Sequence, residues 1–110
     1  LYAVQLRPGA QGRIATLQLR WQDPSNRDWK ELNGNVNTWD VKKSYDEAPA
    51  QFRLAATVAQ FAEILRQSPY AREWPLWDIA TRADGLRGEL REDSDVAVFA
   101  DLARQAATIR

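Results

Sequence analysis

The chain has 110 residues, with fifteen Lys and Arg against fifteen Asp and Glu and neither His nor Cys. The charge balance removes any global pull toward nucleic acid or an anionic membrane. The two missing residue types remove the usual general base near neutral pH, the commonest metal ligand, thiol nucleophiles and disulfides. With 45% hydrophobic residues and no apolar run near the roughly 20 residues that cross a bilayer, the composition is that of one globular domain.

The first forty residues read as strands. Leu1-Tyr2-Ala3-Val4-Gln5-Leu6 is apolar and stops at the turn signal Pro8-Gly9. In Ile14 to Trp21 the residues Leu17, Leu19 and Trp21 alternate with Thr16, Gln18 and Arg20, so period two predicts a strand with one buried face and Trp21 in the core. Asp23-Pro24-Ser25-Asn26 supplies a turn. Trp29 to Leu32 is a weaker strand, and Asn33-Gly34 is the dipeptide best suited to a type I′ hairpin, with Asn35 to Val41 as its partner strand.

The remainder reads as helices. Ser44 and Asp46 are candidate N-caps, Glu47 suits the positive end of a helix, and Pro49 fits a first turn. The main helix is expected from about Pro49 to Gln67. Leu54, Val58, Phe61 and Leu65 form its apolar stripe, Ala55, Ala59 and Ala62 widen it, and Arg53, Thr57, Gln60, Glu63 and Gln67 take the other side. Ser68-Pro69 ends it. A second helix from about Pro75 uses Leu76, Ile79, Ala80, Ala83 and Leu86 and ends at Gly85 or Gly88. A third follows Asp93-Ser94 and uses Val96, Phe99, Leu102, Ala103, Ala106 and Ile109. Strands first and helices after predict an α+β fold: a small antiparallel sheet in the N-terminal half, covered on one face by three C-terminal helices.

The residues offer little chemistry. Glu89 to Asp95 is the single concentration of hard-metal ligands, but Asp93-Ser94-Asp95 has neither a third ligand at loop spacing nor a following Gly, and helix capping accounts for it. No Gly-x-Ser-x-Gly elbow, no Gly-rich phosphate loop and no carboxylate in an apolar sequence setting is present. An enzyme, a cofactor and a metal site are therefore not expected. Trp29, Trp39, Tyr70, Trp74 and Trp77 are the candidate interaction residues, able to anchor a partner protein or stack on a sugar; plugging the core is the commoner role of Trp. Residues 1–45 carry seven basic and four acidic side chains and residues 46–110 eight and eleven, a mild asymmetry that reads as attraction between the halves or, more simply, as a solvated surface.

Three segments resemble a known family. Leu1-Tyr2-Ala3-Val4 resembles a strand opening "LYE". Leu17-Gln18-Leu19-Arg20-Trp21-Gln22-Asp23-Pro24 resembles "lklRY-x-x-P", and Phe52 to Tyr70 resembles "FrfAaaVAaFg-lLr-SpY" almost position by position. These belong to the C-terminal region that follows a von Willebrand factor type A domain in bacterial envelope proteins, often lipoproteins. Beyond Tyr70 the family's "D-x-x-G-Y-R-x-E-F-x-x-L-v" survives as Asp93, Phe99 and Leu102, without the Gly-Tyr-Arg element. The resemblance carries no activity with it. The type A domain's Asp-x-Ser-x-Ser cation motif is missing as well, since Asp23-Pro24-Ser25 continues with Asn26-Arg27. It implies an extracytoplasmic, non-catalytic accessory module that packs against or orients an upstream type A domain of the same polypeptide. The opening at Leu1 inside an apparent strand agrees with a single domain, residues 1–110, cut from a longer protein. A carbohydrate or peptidoglycan binder using the tryptophans is the alternative, and an enzyme or metal protein sharing its site with other segments is the third reading.

Overall fold

A computed structural model describes residues 3–109 of the chain. Two antiparallel strands are followed by three helices, an α+β architecture. The described residues divide into two compact units, 3–43 and 44–109.

The first unit is a ribbon of β1 (Arg13–Gln22) and β2 (Trp29–Asn37), paired from Gln22 opposite Trp29 to Arg13 opposite Asn37 with one register shift between Arg13 and Ala15. Its loop is fixed by short polar side chains. The Asp23 carboxylate accepts from the Ser25 backbone N–H (2.9 Å) and hydroxyl (2.6 Å), Asn26 Oδ1 accepts from Asp28 N–H (3.0 Å), and Asp23 N–H donates to the Asp28 carbonyl (2.8 Å). Arg27 takes the left-handed conformation, φ 61°, that closes the loop. Lys30 pairs with Asp23, and with the Ser25 donors it holds that carboxyl down at about 2.

This loop overturns the hairpin expected at Asn33-Gly34. Both residues lie inside β2, with Asn33 opposite Gln18 and Gly34 opposite Leu17. A turn there would have left most of Ile14 to Trp21 without a ladder partner, whereas the Asp23 loop pairs it throughout. β2 accordingly replaces the two short strands expected over Trp29 to Val41, and Thr38–Asp40 is a 3-10 turn. The expected opening strand is not formed over Ala3–Leu6, which has no ladder partner among the described residues; Leu1 and Tyr2 lie outside them. The Pro8-Gly9 turn is present, with Ala10 N–H donating to the Arg7 carbonyl (3.1 Å) and Gly9 at φ 75°.

In the second unit Ser44 precedes a 3-10 turn, Tyr45–Glu47, and does not cap the long helix. α1 (Ala50–Leu65) begins after Pro49, α2 spans Leu76–Glu89, and α3 spans Ser94–Ile109. α2 packs on both α1 and α3. The buried apolar set is Ile64, Ala71, Leu76, Ile79, Ala80, Ala83, Leu86, Val96, Ala100, Ala103 and Ala107. Phe61 and Phe99 meet edge to face at 5.5 Å across α1 and α3.

Three details differ from the sequence reading. α1 is rotated so that Thr57, expected on the polar side, is fully buried, while Val58 and Leu65 are exposed. Burial is tolerated because the Thr57 hydroxyl donates to the Arg53 carbonyl (2.7 Å) and lies 2.6 Å from the Tyr45 hydroxyl. On α3, Leu102 and Ile109 are exposed and Phe99 half-buried, because Ala100, Ala103 and Ala107 form the buried face with α2's Ala80 and Ala83. Alanines let two helix backbones approach closely, which a Leu at the contact would prevent. Finally, Gly85 and Gly88 lie within α2, which runs on to Glu89 and closes with Leu90 N–H donating to the Leu86 carbonyl (2.8 Å).

Candidate interaction surface

The ribbon is amphipathic, with its apolar side chains gathered on one face. Opposed residues share a face, so Ala15 with Val36, Leu17 with Gly34, Leu19 with Leu32 and Trp21 with Lys30 form one side. Thr16 with Asn35, Gln18 with Asn33, Arg20 with Glu31 and Gln22 with Trp29 form the other. Leu17, Leu19, Trp21, Leu32 and Val36 retain between 43% and 57% exposure. The alternation read from the sequence is correct, but Trp21 is a surface residue and not the core residue expected.

All five candidate aromatics are exposed, against the commoner core role. Trp29 stands on the polar face of the ribbon, with the Arg20 guanidinium 4.8 Å from its ring centre. Trp39, 72% exposed, sits in the turn after β2. Nearly the full length of β2 separates the two, about 30 Å at strand rise, so they make no common site. In the helical unit Trp74 and Trp77 share a hollow of about 200 Å³ with Ile64, Leu76 and Ala107. Trp74 also borders a wider hollow of about 460 Å³ with Gln67, Ser68, Ala71 and Arg72. Gln67 at φ 59° shapes this end by turning the chain out of α1, and Ser68 N–H then donates back to the Glu63 carbonyl (2.9 Å). Tyr70, 85% exposed, stands in the next 3-10 turn and lines neither hollow.

The acidic segment has the architecture of a helix start. Asp93 Oδ1 accepts from Asp95 N–H (3.0 Å) just ahead of α3, and no group of three metal-ligating side chains converges among the described residues. The polar network on the helices is one of ion pairs. Arg53 grips Glu89 with both guanidinium ends (2.8 and 2.5 Å) and donates to the Ala48 carbonyl, tying α1 to α2. Arg87 with Asp101 and Arg104 with Asp84 tie α2 to α3. Hydrogen bonds from Arg53 and Arg66 lower the Glu89 and Glu63 carboxyls respectively. Together with Asp23 these acids stay ionised at neutral pH, so none is poised to exchange a proton there.

The face that sequence reasoning missed is the ribbon's own. Its signal is the period-two alternation of Leu17, Leu19 and Trp21, which marks an apolar face without saying what covers it. No helix among the described residues is long and apolar enough to cross a membrane. Neither the curated proteins nor the solved structures compared with the chain gave a match. A family model described as "Uncharacterized protein YfbK, C-terminal" matches residues 3–109, and the chain belongs to that family.

Proposed function

We propose that this member of the YfbK C-terminal family is a non-catalytic protein-interaction module of a bacterial envelope protein. Its ribbon packs against, and so orients, a von Willebrand factor type A domain upstream in the same polypeptide. One observation supports the reading above others: a two-stranded ribbon displays five large apolar side chains on one face. Such a ribbon is marginal by itself, and covering the face would stabilise it by about 1 kcal/mol for each half-exposed side chain. The chain's lack of His and Cys favours binding over catalysis. The type A partner, the envelope location and lipoprotein attachment rest on the resemblance of Phe52 to Tyr70 and the first strands.

The test is ¹⁵N relaxation on the full-length protein. A common rotational correlation time for the ribbon and the type A domain is the expected result. Separate, faster tumbling of the ribbon would overturn the proposal.

A second reading has its own observation, the hollow shared by Trp74 and Trp77. Indole faces beside a concavity suit a sugar ring, and peptidoglycan is the glycan an envelope protein meets. Tryptophan fluorescence titrated with disaccharide-peptide fragments would shift under this reading and lose the shift in W74A. An unchanged spectrum removes it.

A further inference from the structure

A two-stranded sheet has two free edges, each leaving alternate backbone N–H and C=O groups without a ladder partner. The two edges here are unequal. β2 carries Lys30, Glu31, Asn33, Gly34, Asn35 and Asn37, residue types that blunt or weaken an edge. β1 is Arg-Ile-Ala-Thr-Leu-Gln-Leu-Arg-Trp-Gln, with no Pro, Gly, Lys or acid in it. Its charges are Arg13 and Arg20 alone. The register shift at Ile14 sets Arg13 opposite Asn37, which lies on the polar side with Asn35, so both arginines share that face. Neither has an ion-pair partner among the described residues. Arg20 instead covers Trp29, and the Glu31 carboxylate accepts from the Asn33 amide (2.9 Å).

From this asymmetry we infer that the free edge of β1 accepts an added strand from a partner polypeptide, one that alternates apolar with acidic residues. The inference rests on the reading that the domain works through protein contacts, and it names which edge and which chemistry. Main-chain hydrogen bonds supply the pairing. Acids on one side of the incoming strand meet Arg13 and Arg20, and apolar side chains on the other extend the Leu17, Leu19 and Trp21 surface. A second copy of β1 does not fit, because it brings only arginines to the same edge.

The experiment titrates the ¹⁵N-labelled domain with a blocked octapeptide alternating Glu and Val, and with its Lys-Val counterpart. Amide shifts concentrated on β1 are expected, with the Lys-Val peptide about tenfold weaker. The R13E/R20E double variant should prefer the Lys-Val peptide. Shifts confined to β2 or the helices, equal binding of the two peptides, no binding, or dimerisation of the domain through β1 would each overturn it. If the peptide leaves β1 unmoved while the full-length protein tumbles as one body, the edge assignment falls and the docking reading stands.

Discussion

The two units of this chain use the same sequence device to opposite ends. Both are built from amphipathic elements, yet every side chain that is fully buried among the described residues belongs to the helical unit, and the ribbon has none. Three helices supply one another with a second layer, so their apolar stripes close into a core around Ile79, Ala83 and Ala103. A ribbon of two strands has no second layer of its own. The contrast teaches that amphipathicity records a demand for burial and not its fulfilment, and the unfulfilled demand is where function is to be sought.

Substitutions should separate the units sharply. Ile79→Ala is expected to cost about 2–4 kcal/mol, because the cavity opens among helices that cannot collapse on it; thermal melts followed by circular dichroism at 222 nm read this. Ala103→Leu should cost about 1–3 kcal/mol by forcing α2 and α3 apart, and equal stability would show that the helices do not meet at their alanines. Thr57→Val keeps the shape but removes the hydroxyl between Tyr45 and the Arg53 carbonyl, for about 1 kcal/mol. Leu19→Ala on the ribbon should change the isolated domain by no more than about 0.5 kcal/mol. A loss above 2 kcal/mol there would break the comparison, since only a covered Leu costs that much.

Acid sharpens the same contrast with the smallest effect. Asp23 and Glu89 have lowered carboxyl pKa values, so each contributes stability above the ordinary carboxylate range and loses it as pH falls. Below that range the Arg53–Glu89 tie between α1 and α2 weakens first, whereas the Asp23 loop holds until pH nears 2. Amide chemical shifts followed through an acid titration should therefore move at Arg53 and Glu89 before they move at Ser25 and Lys30. The reverse order would assign the stronger pairing to the helices.

Much of the fold was legible because it depends on local pattern. α2 was readable down to its five buried positions, and β1 to its two faces. What failed needed information from elsewhere in the fold. Asn33-Gly34 is a good hairpin turn until a competing loop pairs more residues. Thr57 looks polar until Tyr45 and the Arg53 carbonyl supply partners for its hydroxyl. Leu102 looks like core until alanines prove the better surface for close helix contact. The candidate aromatics were recognisable as a set, but their division between two units, and the grouping of Trp74 with Trp77 without Tyr70, depend on tertiary geometry.

Amide hydrogen exchange of the ribbon, compared between the domain alone and the full-length protein, addresses the central claim most directly. Slow exchange in the helices of both samples, with β1 and β2 fast in the isolated domain and slowed at least a hundredfold in the full-length protein, is the predicted result. Equal protection of β1 and β2 in the two samples would show that the ribbon needs no partner, and would contradict the account.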